Sequence, residues 1–149
     1  MKQRVSVRGI IIHDDALLCV RLKPYNPKGT FGSTFWCVPG GGLDEGESLV
    51  DGIERELIEE TGIQPVVGNL LFIQQFSLSG IEQLEFFFHI TNSKAYLKID
   101  LTKTTHGQKE IAEIAFIDPT KFPVLPEFLK TESLSNITSQ TPTKIFNYL

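Results

Sequence analysis

Cysteine is nearly absent: Cys19 and Cys37 are the only two in 149 residues, and both lie in apolar, strand-like surroundings. Two thiols make no disulfide framework, and with no histidine or further cysteine beside them a tetrahedral zinc site has no ligands. Both read as buried thiols. Long hydrophobic runs are also missing, since no segment approaches the ~18 apolar residues of a membrane span. In the opening MKQRVSVRGIII, charge intervenes before a signal-peptide core could form, so the expected location is cytoplasmic, away from membranes. There is no run of lysine or arginine and the pI is about 5.4, which argues against a surface for duplex nucleic acid but leaves short oligonucleotide ends as ligands. No internal repeat or low-complexity block breaks the chain. With 41% hydrophobic and 21% charged residues, the composition fits one globular domain.

What the sequence does contain is concentrated acid. The net charge is −4, yet eight of the 18 acidic residues fall between Asp44 and Glu60, where Arg55 is the only base. Removing that window leaves 13 of 14 bases against 10 acids, a mildly basic frame around a negative centre. Such a pattern suits an anionic ligand held through a cation.

The window carries a helix that starts with Ser48 as N-cap, with Asp51 three residues on, and ends at Gly62. Leu49, Ile53 and Leu57 form its apolar i, i+4, i+8 stripe. Glu56, Glu59 and Glu60 stand at i, i+3 and i+4, a like-charge stack that destabilises an isolated helix by roughly 0.2–0.5 kcal/mol per pair. A hard divalent cation, Mg2+ or Mn2+, offsets this, because such ions prefer oxygen ligands and keep water positions open for phosphates. At 100° per residue, Glu60 lies about 20° and Glu56 about 60° from Ile53, so the carboxylates border the buried face instead of opposing it. Gly52 in mid-helix costs ~1 kcal/mol against alanine, which points to close packing there.

The spacing Gly41, five residues, Glu47, seven residues, Arg55-Glu56-Leu57, one residue, Glu59-Glu60, one residue, Gly62-Ile63 fills every fixed position of a known signature over residues 41–63. The chain therefore resembles the Nudix hydrolase family. The resemblance implies an α/β fold, the Nudix α/β/α sandwich with a mixed β-sheet between helices. It implies hydrolysis of a pyrophosphate bond in a nucleoside diphosphate linked to another group, with Mg2+ or Mn2+ as cofactor. Glu56, Glu59 and Glu60 are then metal ligands and catalytic residues, and Glu47 pairs with Arg55 to hold the loop against the helix, with Arg55 directed away from the acidic stripe. The Gly40 carbonyl would complete the metal shell, though a tight turn explains that glycine equally well. Gly41 and Gly62 are structural. Glu110 and Glu113, at the entry to a late strand, are candidates for a further ligand or the general base, with Glu110 carried forward as catalytic.

Strands are expected at Val5 to Ile12 and Ala16 to Leu22, as a hairpin turning at His13-Asp14-Asp15, and at Val66 to Phe76 and Leu84 to Ile90 around Ser79-Gly80. The aromatics of Phe86-Phe87-Phe88 face both sides of their strand, which implies a covered, central position. Phe35 to Gly42 reads as a short strand entering a glycine-rich turn. Lys23 to Thr34 is an extended loop and a candidate substrate wall. Tyr25 and Phe35 either stack a base there or pack under the loop. Arg21 touches a substrate phosphate or forms a salt bridge. His89 reads as a core histidine, whereas His106 sits in a loop where a functional role remains open. A short helix is expected at about Glu127 to Leu134. Residues 1–134 are expected to form the domain, with 135–149 a tail that docks on it or mediates a homodimer.

Markers of the ADP-ribose, diadenosine polyphosphate, coenzyme A and NADH branches are missing; Ser77 to Gly80 occupy the stretch where the first expects proline. Elimination leaves a small nucleoside triphosphate or a modified, oxidised nucleotide as first choice. ADP-ribose or a nucleotide sugar is the alternative, and a non-catalytic nucleotide sensor the rival from another class.

Overall fold

The computed structural model describes residues 2–23, 34–137 and 142–149. In chain order its elements are β1 (Gln3–Ile10), β2 (Ile12–His13), β3 (Ala16–Leu22), β4 (Trp36–Cys37), β5 (Gly40–Gly42), α1 (Leu49–Thr61), β6 (Val67–Leu78), β7 (Ile81–Ile90), α2 (Gly107–Glu110), β8 (Ile111–Ile117), β9 (Val124–Leu125), α3 (Phe128–Thr131), α4 (Leu134–Ile137) and β10 (Lys144–Asn147). The class is the mixed α/β fold that the resemblance implied, with two mixed sheets and α1 as its one long helix among the described residues.

One sheet has the order β10-β6-β7-β1-β5, in which β1 runs parallel to β7 and antiparallel to β5. The other runs β2-β3-β4-β9, with β8 also paired to β3. The expected hairpin of the first two strands is corrected here. Only the two-residue β2 turns back on β3, while β1 belongs to the other sheet. The physical reason lies in β1's two faces: Val7 is buried toward α1, while Arg4, Ser6 and Arg8 point the other way. Such a strand needs covering on both sides, and a two-stranded ribbon with β3 would not supply it.

Two hydrophobic cores flank that sheet. One joins Val7, Ile11, Leu18, Phe88 and Ile90 to Ile53 and Leu57 of α1, the predicted apolar stripe. The other packs Phe72 and Phe87 against Trp36 and against Phe128, Leu129 and Ile137 of α3 and α4. Phe86 contacts the α1 core and Phe87 the other, so the aromatic run is two-sided on a strand held between β6 and β1, as expected. Residues 142–149 dock on the domain: β10 adds parallel to β6, and Phe146 stacks on Phe128 at a centroid distance of 4.2 Å.

Helix α1 begins and ends as its sequence requires. The Ser48 hydroxyl accepts from the Asp51 amide at 3.1 Å, and Gly62, at φ 76°, donates its amide to the Ile58 carbonyl at 2.8 Å. A β-carbon on Gly52 would strike Leu43, which accounts for a glycine in mid-helix. No helix among the described residues is long and apolar enough to cross a membrane.

Candidate active site

The expected glycine turn is itself a strand. Gly40–Gly42 pairs with β1 in the register Arg8↔Gly40 and Ser6↔Gly42, and this lays bare backbone against α1. A β-carbon on Gly40 would collide with the Val7 carbonyl, and its φ of 144° is open to glycine alone. One on Gly41 would stand 2.6 Å from the Glu56 carboxylate carbon and both its oxygens. The absence of a side chain at Gly41 is therefore what gives the Glu56 carboxylate its place.

Glu56 and Glu60 are buried, at 5% and 2% exposure, where wheel geometry put them on the margin of the core. The Gly40 amide donates to Glu60 Oε2 at 3.2 Å. Glu59, half-buried, meets His106 Nδ1 at 3.2 Å, so the loop histidine lies against the carboxylate set. Helix α2, which His106 opens, rests on the end of α1, and a β-carbon on Gly107 would strike the Glu60 carbonyl. Glu110 closes α2 and is buried, whereas Glu113 is exposed and pairs with Arg21 at 3.0 Å. Burial therefore separates the two glutamates that sequence left level.

Arg55 is the hinge of the loop. Its Nε and Nη2 donate to the two Glu47 oxygens at 2.7 and 2.9 Å, a bidentate fork, and Nη2 also donates to the Gly42 carbonyl at 3.0 Å. Asp44 is a further partner at 3.2 Å. The fork holds Glu47 well below the usual carboxylate range, at about 2, with the Asp44 amide assisting. The expectation that Arg55 points away from the acidic stripe is overturned: Nη1 donates to Glu56 and Glu59, both at 3.2 Å. Five donors on a planar head let one arginine serve both sides of the turn.

The other expected ligand-binding residues divide. Phe35 lines a cavity of about 400 Å³ on the opposite face of β1 from α1, together with Gly40, Glu60, Val20, Leu22 and Phe76. Arg21 is engaged with Glu113 and is not among the residues lining it. Tyr25 lies outside the described residues. His89 is half-buried, and burial lowers its pKa, consistent with a neutral packed imidazole.

The sequence reading passed over the cavity floor, where Arg8 Nε donates to Glu85 Oε2 at 3.2 Å and Gln74 donates to Glu85 Oε1 at 2.7 Å. Arg8 Nη1 reaches the Gly40 carbonyl at 3.3 Å, tying this ladder to the carboxylate end. Burial opposes the Arg8 charge, but the Glu85 carboxylate more than compensates and raises its pKa. The available signal was the alternation Arg4, Ser6, Arg8 opposite Val5 and Val7.

Among the described residues, no three acidic, histidine or cysteine side chains already converge on one point as a preformed metal sphere. The donor set nonetheless fits a hard divalent cation: Glu56, Glu59, Glu60 and the Gly40 carbonyl offer only oxygen, and Gly41 leaves room for the Glu56 carboxylate. Arg55 Nη1, bonded to both Glu56 and Glu59, occupies the place of a positive charge between them.

Comparison with known proteins bears on the fold and the family. A UDP-X diphosphatase structure is similar at TM-score 0.71 and 24% identity over 97% of this chain and 68% of that one. The E. coli ORF135 protein matches at TM-score 0.70 and 21% identity, covering 95% of both chains, which shows a shared fold. Among curated relatives, an ADP-ribose pyrophosphatase of Methanocaldococcus jannaschii is 39% identical over 67 residues, 45% of this chain and 37% of that protein. An RNA pyrophosphohydrolase of Mesorhizobium japonicum is 37% identical over 65 residues, 42% of this chain and 38% of its own length. These alignments span well under half of the curated relatives' length. The NUDIX domain family model matches residues 2–136, nearly the whole chain, and the chain therefore belongs to the NUDIX domain family.

Proposed function

We propose that this chain is a metal-dependent pyrophosphohydrolase that cleaves a phosphoanhydride bond in a nucleoside diphosphate linked to another group. A small nucleoside triphosphate or oxidised nucleotide is our first choice of substrate, and Mg2+ the cofactor, with Mn2+ able to replace it. The observation that carries this reading is Glu60: nearly fully buried in the signature helix, it also lines the 400 Å³ cavity, so the acidic cluster and a ligand-sized space share a wall. The names of similar proteins point to the same bond class, since each of the three assigned an activity cleaves a diphosphate linkage.

Glu56, Glu59 and Glu60, with the Gly40 carbonyl, would hold the cation, which supplies charge neutralisation at the phosphate oxygens and acidifies water. The chain's own residues do the rest. Arg55 and Glu47 fix the loop, the Gly40 amide orients Glu60, and Glu110, buried on α2, is our candidate to accept the proton of the attacking water. The cavity takes the uncleaved moiety, with Phe35 on its wall; Arg21 and Tyr25 stay candidates for substrate contact from the sequence alone. Residues 1–134 are read as the catalytic domain and 135–149 as its continuation.

The test is Mg2+-dependent release of phosphate or pyrophosphate across nucleoside triphosphates, oxidised nucleotides, ADP-ribose, dinucleoside polyphosphates and nucleotide sugars. Glu59→Gln and Glu60→Gln should abolish turnover with folding intact. Unchanged turnover in both would refute the site. Tight nucleotide binding without turnover of any substrate would favour a sensor.

A further inference from the structure

The floor of the cavity is built from alternate residues of three paired strands. Arg4 lies opposite Gln83, and Gln83 opposite Phe76, in one row across β1, β7 and β6. The next row is Ser6, Glu85 and Gln74. In that second row, Glu85 is fully engaged by Arg8 and Gln74. In the first row the polar groups are not engaged. Gln83 is 6% exposed and lines the cavity, yet its amide makes no hydrogen bond among the described residues. Arg4, half-buried beside it, forms no ion pair or hydrogen bond among them either. Burial, and then the charge of Arg8, lower its pKa, and the more distant Glu85 and Glu56 carboxylates offset this only in part. Both side chains thus present hydrogen-bonding groups to the cavity with no protein partner among the described residues, free to pair with whatever enters it. Phe35, Phe76 and Tyr148 on the walls suit a flat ring.

We propose that Gln83 and Arg4 together select a nucleobase bearing a lactam edge, a ring N–H beside an oxo group, over one bearing an amino group beside a ring nitrogen. This deepens the proposed function and rests on it only for the nucleotide nature of the ligand. The amide of Gln83 matches either edge, because turning it over exchanges its donor and acceptor. Arg4 breaks the tie. Guanidinium only donates, and an oxo oxygen has a second lone pair to offer it after pairing with the amide. An amino group in the same place would set its remaining N–H against the N–H groups of Arg4, leaving buried donors unpaired. Guanine, hypoxanthine and uracil carry the favoured edge, whereas adenine and cytosine carry the other.

The experiment is calorimetric binding of GMP, UMP, AMP and CMP to the wild-type protein, with Mg2+-dependent turnover of GTP, UTP, ATP and CTP measured in parallel. At least one of GMP and UMP should bind about tenfold tighter than both AMP and CMP, the scale of one well-placed hydrogen bond. Arg4→Met should erase the preference mainly by improving the amino bases, and Gln83→Met should weaken all bases whose edge it pairs, each variant checked for folding by its melting curve. Equal affinities, preference for the amino bases, or no binding of any nucleotide would overturn the inference. So would an Arg4→Met variant that loses affinity equally for all four, which would place Arg4 on the phosphate. Selective binding without turnover supports base selection and sinks the hydrolase reading; turnover without selectivity does the reverse.

Discussion

Gly41→Ala separates the role of the glycine strand from a general need for glycine. The added β-carbon would sit 2.6 Å from the Glu56 carboxylate, against an ordinary contact of at least 3.4 Å, so that carboxylate must retreat by about 0.8 Å. What it meets is the far end of a side chain, and no left-handed φ forbids alanine there. The fold should survive. The contact put at risk is Glu56–Arg55 at 3.2 Å, for which about 1 kcal/mol is a fair scale, or roughly 2–4 °C in melting temperature for a chain of this size. Catalysis should suffer far more, since misplacing a reacting group by about 1 Å can cost on the order of 100-fold. The assay is kcat/KM on the preferred nucleotide together with a thermal melt and a Mn2+ titration. We expect about a 100-fold fall in kcat/KM and weakened Mn2+ binding in a folded protein. The neighbouring Gly40→Ala sets backbone against backbone at a φ of 144° and should instead fail to fold. Gly41→Ala activity within threefold of wild type would refute the argument that this glycine positions Glu56.

Other consequences follow from the same contacts. Arg55→Lys keeps the charge but loses the fork on Glu47, and should cost about 1–3 kcal/mol in a denaturant titration, together with most of the turnover. Because the folded Glu47 pKa is depressed from 4.5 to about 2, its contribution to stability is complete above 4.5 and is lost as pH falls from there toward 2. The stability-against-pH curve of Glu47→Gln should be flatter than wild type in that window, and parallel curves would contradict the fork. Phe146→Ala removes a ring stacked 4.2 Å from Phe128 and 6.0 Å from Phe72, and should destabilise by about 2–4 kcal/mol; a melt unchanged within 1 °C would show that β10 contributes little.

The sequence alone determined the local features. The caps of α1, its apolar stripe and the marginal position of Glu56 and Glu60 follow from spacings of three and four along one helix, and each is found where the spacing put it. The same holds for the central strand bearing Phe86, Phe87 and Phe88, whose two-sided hydrophobicity is visible residue by residue. Tertiary structure decided what depends on pairing between distant segments. Val5 to Ile12 could equally form a hairpin with Ala16 to Leu22, and only the presence of β7 and β5 draws β1 into the other sheet. Arg55 could reach one partner or several, and its turn toward Glu56 and Glu59 is set by how the loop lies on the helix. Glu110 and Glu113 look alike in sequence until α2 buries one and Arg21 takes the other. The pairing of Arg4 with Gln83, unengaged among the described residues, could not have been seen at all, because 79 residues separate two side chains that adjacent strands set side by side. Helical spacing is a property of one segment, whereas register between strands is fixed only when the whole core closes.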